Sequence, residues 1–433
     1  MMHQPDSPNR VLTLDHDKED GTDFDAWNSI LDQAAARQAA QRVVIHSTPF
    51  HDSWDSGTEL DHETRGDWDD NGGFVNAFRA AVGRLTELPN LNTVHLRFSD
   101  KCCGLESENN WWMYDQCEMR GRRMETLRTV FGALQKRAAS SGNNAIRNLS
   151  IDNLQNTPVP ELVYSDDFKK VVSTVEELHL SICTEYNEHG PDQDAHKEER
   201  RTFEPFLQRD LLPSMANNLT SLTIKFDQEW GSIPGQFDGR GLSFPKLETL
   251  VLENFVIGHH DHLDWVLAQK SLKSLSLKTP RIVSHMRLDD TEVEQWRLRT
   301  DDWKRWPEGA FGFQGRNEAV FTFSGTWESV FDSIRTGLPN LVDFHVSEHS
   351  HHSRQTVNEL SPLRYIVFNI GLLPTPWIEA DSNGEFEFAE YYSEDEENDQ
   401  AKSELATLDS AKKYETGDKR ALDDLLKAVK ERQ

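Results

Sequence analysis

One short apolar pattern, leucine-x-x-leucine-x-leucine, recurs along the chain and constrains its fold more than any other feature. Residues 88–96 read LPNLNTVHL, and residues 338–346 echo them as LPNLVDFHV. Six further segments share this spacing, which makes eight copies. Their apolar positions are Ile146/Leu149/Ile151, Val175/Leu178/Leu180, Leu219/Leu222/Ile224, Leu247/Leu250/Leu252, Leu272/Leu275/Leu277 and Leu363/Ile366/Phe368. Recurrence of one supersecondary pattern indicates a repeat architecture.

Each copy predicts a short strand, because its last two apolar residues alternate with a polar one and point to the same side. A single strand of this kind cannot bury its apolar side alone, whereas stacked copies share one continuous core. Parallel strands need crossover connections, and the intervals carry helical patterns such as Phe74/Phe78/Val82/Leu85 and Met124/Leu127/Phe131/Leu134. The sequence therefore predicts an α/β fold, an irregular leucine-rich-repeat solenoid with parallel strands on the concave face and helices on the convex face.

The repeats are degenerate. The asparagine that usually follows this motif is absent from the expected positions, which hold Ser99, Leu154, Cys183, Asp227, Phe255 and Pro280. We expect the solenoid to span residues 74–376, with insertions at 185–201, 227–241 and 289–325. The last insertion is rich in Trp and Phe, which predicts a packed elaboration with an extra strand at 319–323.

The two ends of the chain differ from the repeat region. Residues 1–23 are polar and predict a disordered segment, and residues 24–73 predict an N-terminal cap or first degenerate repeat with an acidic loop. Residues 377–433 combine an acidic segment at 385–399 with a C-terminal helical pattern interrupted near Gly417. That helix is expected either to cap the solenoid or to hang free.

The net charge of −28 disfavours nucleic acid and anionic membranes as partners, because phosphates would be repelled. No apolar run approaches the ~20 residues of a membrane helix, and no secretory leader is evident. The four cysteines show no metal-ligand spacing, so reduced thiols in a cytoplasmic or nuclear protein are expected.

Three segments carry a family resemblance: 244–252 (FPKLETLVL), 264–277 (DWVLAQKSLKSLSL), and 327–334 (WESVFDSI) running into LPNL. They resemble filamentous-fungal F-box-like leucine-rich-repeat proteins over roughly residues 75–370. In that family an N-terminal F-box would dock on Skp1 of a cullin ubiquitin ligase, and the repeats would hold the substrate. Here the N-terminus offers only Phe24, Trp27, Ile30 and Leu31, with no Leu-Pro, so an F-box itself is not evident.

The main functional hypothesis is a non-catalytic scaffold that binds a protein partner through the concave face and the loops. The positions before, between and after the last two apolar residues of the motif project from the concave sheet and supply the candidate partner-binding residues. These are His95, Arg97, Asp152, His179, Lys225, Glu253, Lys278, His345 and Tyr365. The alternative is a substrate receptor of an SCF-type ubiquitin ligase with a divergent or missing F-box.

A remote alternative is a hydrolase or metal enzyme built around the aromatic insertion. The segments 259–262 (HHDH) and 348–352 (EHSHH) contain metal-donor residues, but polar residues are expected in such loops. His95, His179 and His345 lie on non-adjacent strands, too far apart to share an ion. Nucleophile-elbow, phosphate-loop, dinucleotide and zinc-protease motifs are absent, so we predict neither a catalytic site, a cofactor nor a metal.

Overall fold

The computed structural model describes residues 11–14, 23–47, 73–103, 117–185, 195–307, 318–347, 365–370, 375–379 and 412–433. The chain divides into two compact units. Unit 1 comprises Met1–Tyr186 with Asn217–Leu219, and unit 2 comprises Asn187–Ala216 with Thr220–Gln433. Both are mixed α/β with mainly parallel strands, as predicted. The segment 1–10, the acidic N-terminal loop and the acidic segment 385–399 lie outside the described residues.

Within its described residues, unit 1 has five strands that pair in chain order, all parallel. They are β1 (Val11–Leu14), β2 (Arg42–His46), β3 (Thr93–Arg97), β4 (Asn148–Gln155) and β5 (Glu177–Cys183). The helices are α1 (Asp23–Leu31), α2 (Ala34–Ala39), α3 (Gly73–Gly83), α4 (Arg120–Ala139), α5 (Pro160–Val163) and α6 (Asp166–Val172), and a 3-10 turn spans Arg84–Glu87. The helices supply the crossovers that parallel pairing requires.

In unit 2, four strands continue the repeat pattern in parallel: β6 (Ser221–Trp230), β7 (Thr249–Ile257), β8 (Ser274–Lys278) and β12 (Asp343–Ser347). The other strands are β9 (Arg281–Asp289), β10 (Lys304–Arg305), β11 (Glu318–Thr322), β13 (Tyr365–Asn369) and β14 (Trp377–Glu379). The helices are α7 (Glu198–Phe206), α8 (Asp264–Leu267), α9 (Asp290–Gln295), α10 (Trp327–Gly337) and α11 (Lys412–Glu431). A π turn at Leu207–Leu211 and a 3-10 turn at Leu212–Ser214 follow α7.

All eight motif copies form strands. Seven of them pair with other motif strands, and in these pairs equivalent positions of the motif lie directly opposite one another. In unit 1, Thr93 is opposite Asn148 and Asn148 is opposite Glu177. In unit 2, Thr249 is opposite Ser274, which is opposite Asp343. The motif apolar residues at the same register are buried, so both units share the predicted alternation.

The eighth motif strand, β13, belongs to a different set of strands. It pairs in parallel with β9 and antiparallel with β14, and β9 also pairs antiparallel with β11. The sequence did not predict β9, whose run RIVSHMRLD follows β8 after only two residues. The extra strand expected at 319–323 is confirmed as β11, and Trp296 and Trp303 of the insertion are buried.

Two asparagines sit one position earlier than the motif led us to expect. Asn153 and Asn254 follow β-strand positions Asp152 and Glu253, and both have a left-handed backbone, with φ of 57° and 61°. Asn153 Nδ2 donates to Phe98 O at 3.0 Å, and Asn254 Nδ2 donates to Phe226 O at 2.8 Å. Asparagine tolerates this backbone region better than most residues. At these two strands an asparagine therefore stands one residue before the expected position, and its amide ties the end of the strand to the preceding motif strand.

The two LPNL turns are each held by an arginine from a later helix. Arg137 of α4 is buried and donates to the carbonyl oxygens of Leu88, Pro89, Leu91 and Asn144 at 2.6–3.0 Å. Arg432, directly after α11, donates to Leu338 O at 2.8 Å and Arg335 O at 2.7 Å. The C-terminal helix therefore does for the second turn what α4 does for the first.

The C-terminal helix packs against α10 and complements both of its ends. Asp418 accepts from the backbone N–H of Glu328 in the first turn of α10, while Arg432 donates to Arg335 O in the last turn and to Leu338 O directly after it. A carboxylate near the N-terminus of a helix and a guanidinium near its C-terminus both interact favourably with the helix dipole. The predicted interruption at Gly417 was wrong, because α11 runs through it. A Cβ at Gly417 would lie 2.6 Å from Glu328 Oε2, so glycine permits the close helix contact.

Candidate functional site

The polar positions of the motif strands line up into three rows on each unit, which we call the ribbon of that unit. In unit 1 the rows run Arg42–Thr93–Asn148–Glu177, Val44–His95–Ser150–His179 and His46–Arg97–Asp152. In unit 2 they run Ser221–Thr249–Ser274–Asp343, Thr223–Val251–Ser276–His345 and Lys225–Glu253–Lys278–Ser347. Eight of the nine candidate residues lie in these rows. The unstaggered register places their side chains next to one another.

Four of the candidates form one cluster in the ribbon of unit 1, with Asp152 at its centre. His95 Nε2 lies 2.6 Å from Asp152 Oδ2, and Arg97 Nε lies 3.3 Å from the same oxygen. His179 Nε2 is 3.7 Å from the other oxygen, Oδ1. His95 and His179 are on non-adjacent strands, as predicted, yet both reach the carboxylate on the strand between them.

The cluster includes Arg42, which the sequence analysis did not identify. Arg42 Nη2 lies 3.0 Å from His95 Nδ1. Arginine can only donate, so His95 Nδ1 accepts from Arg42. His95 Nε2 lies 2.6 Å from Asp152 Oδ2 and 3.3 Å from Arg97 Nε, and we assign its proton to the shorter contact, in which Nε2–H donates to Asp152. Burial alone would raise the pKa of Asp152, but the hydrogen bond from His95 and the nearby His and Arg charges outweigh it and lower that pKa. Asp152 is therefore ionised at neutral pH.

This hydrogen-bond order decides what His95 can do. A metal-bound imidazole normally donates its second N–H to an acceptor, but the second nitrogen of His95 faces a donor. Both ring nitrogens are already engaged, so His95 is also not available as a general base in this arrangement. The cluster is arranged to hold Asp152 and Arg97 in place at the strand surface.

In unit 2 the charged candidates form a lysine–glutamate–lysine row. Lys225 Nζ is 3.2 Å from Glu253 Oε1, and Lys278 Nζ is 3.9 Å from Glu253 Oε2. Glu253 is buried beneath the two lysine side chains, which remain about 40% exposed. His345 Nε2 lies 2.8 Å from Asp343 Oδ1 on its own strand. The row presents two ammonium groups fixed by one buried carboxylate.

Tyr365 is placed differently from the other eight candidates. Its side chain is buried, and its hydroxyl donates to Asp418 Oδ2 at 2.7 Å while accepting from the backbone N–H of Trp327 at 3.1 Å. Burial raises the pKa of Tyr365, and the Asp418 charge adds to that effect. Tyr365 therefore contacts the C-terminal helix rather than presenting a surface, since β13 lies outside the motif rows.

The histidine segment 259–262 meets the aromatic insertion in unit 2. His259 Nδ1 lies 2.5 Å from Asp302 Oδ1, and its ring stacks on Trp303 at 4.9 Å. Asp302 Oδ2 accepts from the backbone N–H of His260. Donor atoms of His259, Asp301 and Asp302 lie within 4.8 Å of one another, the only such group among the described residues.

This group is explained without an ion. Arg299 pairs with Asp301 at 3.3 Å and with Asp261, so a cation there would face a guanidinium. Burial lowers the pKa of His262 well below its usual value, and His262 Nδ1 accepts from Gly258 N–H at 3.1 Å. The segment 348–352 lies outside the described residues.

All four cysteines of the chain converge in unit 1, which the sequence spacing did not indicate. Cys102 Sγ lies 3.7 Å from Cys183 Sγ, and Cys103 packs with Cys117. The hydrogen bond with Cys103, together with burial, raises the pKa of the Cys117 thiol. All four are buried thiols that form no disulfide, and the raised pKa of Cys117 disfavours its reactive thiolate.

Comparison with protein families and with curated proteins identifies no relative. No model of a protein family matches the chain, and no curated protein matches it. Among the described residues, no helix is both long and apolar enough to cross a membrane.

Proposed function

We propose that this chain is a leucine-rich-repeat recognition scaffold that binds a protein partner through its ribbons and adjoining loops, without catalysis. The observation that carries the proposal is the unstaggered register of the motif strands. Because of this register, the polar positions of the motif, which are far apart in the sequence, lie side by side in continuous rows of half-buried side chains on each unit.

The repeat character of the proposal is supported by hydrogen bonds that recur at equivalent places. Asn90 Nδ2 donates to Gln38 O at 2.7 Å, Asn218 Nδ2 to Ser173 O at 2.7 Å, and Asn340 Nδ2 to Lys270 O at 2.8 Å. Each bond ties the turn before one motif strand to the preceding turn. Such neighbour-to-neighbour contacts are how repeat proteins are stabilised, with binding left to the strand side.

The chemistry of the ribbons supports recognition rather than reaction. Salt-bridged side chains held by neighbouring strands are preorganised, so little entropy is lost when a partner binds. The half-buried residues Thr223 and Val251 of unit 2 add apolar area between charged groups. Charged rows of this kind contribute to specificity and association rate more than to raw affinity.

A ubiquitin-ligase receptor gains no support from the N-terminal helix. Trp27 and Leu31 are buried in unit 1, and Trp27 Nε1 donates to Ala81 O at 3.0 Å. These two side chains are therefore part of the core of unit 1 and are not exposed for a partner. We therefore keep the proposal to the recognition module alone.

Affinity purification with matched variants tests the proposal. The full chain is used as bait in an extract of the cells that make it, alongside Arg97→Glu, Lys278→Glu and the control Arg128→Glu. Arg128 is exposed on helix α4, away from either ribbon. The proposal expects at least one protein to be captured by the wild type and the control and lost from a ribbon variant. Equal capture by all four baits contradicts it.

A further inference from the structure

The strongest unexplained feature of unit 1 is the exposed end of Arg97. Its Nε lies 3.3 Å from both Asp152 Oδ2 and His95 Nε2, while its terminal nitrogens Nη1 and Nη2 make no hydrogen bond to the described residues. The side chain is 45% exposed. An arginine whose Nε is fixed by a carboxylate presents its outer edge as a rigid pair of donors, the geometry that suits bidentate carboxylate or phosphate recognition.

Asp152, which lies beside Arg97 Nε, is itself held in place by a buried histidine. His95 has only 5% of its surface exposed, and it joins Arg42 to Asp152 through its two ring nitrogens. Asp152 therefore cannot swing away without breaking a buried hydrogen bond. Preorganisation of this kind removes much of the entropic cost of ordering a long surface side chain.

The local charge also favours an anion. Arg42 and Arg97 carry two positive charges around the single carboxylate of Asp152, and His179 adds a third when protonated. The ribbon's other carboxylate, Glu177, is two strands and four residues from Arg97, or about 16 Å between Cα atoms from standard strand spacings. That distance exceeds the Debye length of about 8 Å at physiological salt, so its charge is largely screened.

We propose that Arg97, positioned by Asp152 and assisted by His179, is the receptor for an oxyanion group, a carboxylate or a phosphate, on the protein partner. The inference rests on the proposed recognition function, because it names the chemistry that the ribbon of unit 1 would read. The net charge of −28 favours a single anionic side chain over a polyanion, which the rest of the chain would repel.

The test uses the full-length protein and two probes, inorganic phosphate and acetate, titrated against chloride at constant ionic strength. Binding is followed by calorimetry and by the rise in melting temperature. Wild type is expected to bind one of the probes saturably in the millimolar range. Arg97→Gln is expected to weaken that binding at least tenfold and Arg97→Lys by less, since lysine keeps the charge but loses the fork. Arg128→Gln, a loss of one exposed charge on helix α4 outside the ribbons, is expected to leave binding of both probes unchanged.

Saturable binding that is equal in wild type and Arg97→Gln would overturn the proposal, as would no saturable binding of either probe. The probe that binds more tightly identifies the oxyanion source as phosphate or carboxylate. Partner capture separates this inference from the proposed function. If Lys278→Glu no longer captures the partner and Arg97→Gln still does, only the inference about Arg97 is contradicted. If Arg97→Gln loses anion binding but no ribbon variant changes partner capture, the proposed function is contradicted instead.

Discussion

The carboxylate of Asp418 accepts a hydrogen bond from the hydroxyl of Tyr365, with Oδ2 and Oη 2.7 Å apart. Its other oxygen accepts from the backbone N–H of Glu328 at 2.8 Å. Asp418 itself is buried, so one side chain of the C-terminal helix satisfies two groups that belong to β13 and α10. The pairing explains how a helix distant in sequence becomes part of unit 2.

Replacing this carboxylate should loosen the C-terminal helix. Asp418→Ala leaves a buried hydroxyl and a backbone N–H without their acceptor, which costs about 2–4 kcal/mol of unfolding free energy. Asp424→Ala, at an exposed position of the same helix, should cost less than about 0.5 kcal/mol. Urea denaturation of both variants measures the difference. Similar stabilities would show that α11 does not depend on the Asp418 contacts.

The arginine at the first LPNL turn should matter more for stability than its charge suggests. Arg137→Ala removes donors from four backbone carbonyls, and we expect a loss of about 3 kcal/mol. Arg128→Ala, exposed on the same helix, is the matched control. Thermal unfolding of the two variants should separate them clearly. A melting temperature of Arg137→Ala within a degree of that of the control would contradict the assigned role.

Glu204 should make stability depend on pH in the opposite sense to most carboxylates. Burial raises its pKa to about 7, although the backbone N–H of Gly231 donates to it at 2.9 Å. A raised folded-state pKa gives a contribution that is fully present below pH 4.5 and is lost as the pH rises through about 7. The size of the shift corresponds to about 3 kcal/mol.

Glu204→Gln removes this titration, so the difference in unfolding free energy between variant and wild type should grow in favour of the variant from pH 4.5 to 8. Glu198→Gln, an exposed neighbour on α7, should show no such trend. Chemical denaturation across the pH range provides the measurement. A difference that stays constant with pH would mean that Glu204 titrates normally in the folded protein.

The displaced asparagines allow backbone and side-chain effects to be separated. Asn254→Gly keeps the left-handed backbone accessible but loses the bond to Phe226 O, so we expect a cost of about 1 kcal/mol. Asn254→Ala loses the bond and also forces a Cβ residue into that backbone region, which adds about 1 kcal/mol. Equilibrium unfolding should rank wild type above Gly and Gly above Ala. Equal stability of the two variants would mean that the φ of 61° is not maintained in solution.

The sequence predicted the strands well because each depends on local alternation of apolar and polar residues. The pairs Leu149/Ile151 and Leu250/Leu252 suffice to place β4 and β7. It did not predict β9, because RIVSHMRLD follows β8 closely and its strand pairing depends on β11 and β13, which are distant in sequence. Gly417 was misread for a similar reason: the helix that packs beside it, α10 with Glu328, is distant in sequence, so no local pattern shows that α11 continues through the glycine.

Most of the candidate site followed from periodicity, since an x position of the motif must face away from the core. Periodicity could not predict which of these side chains would contact one another across the strands. The Asp152 cluster needs the register of four strands, and Arg42 joins it only because β2 extends the sheet of unit 1 in the same register. Tyr365 matched the motif locally, but β13 pairs with β9, which places its hydroxyl against the C-terminal helix.

Site-specific photo-crosslinking tests the central claim, that the ribbons bind the protein partner, most directly. A photoreactive amino acid is placed at Thr223 in the ribbon of unit 2, at Thr93 in the ribbon of unit 1, or at the exposed helix position Arg128. Crosslinking is carried out in the extract and products are identified by mass spectrometry. The account predicts that one protein is crosslinked from at least one of the two ribbon positions and is not crosslinked from Arg128. A partner crosslinked from Arg128 and from neither ribbon position would contradict it.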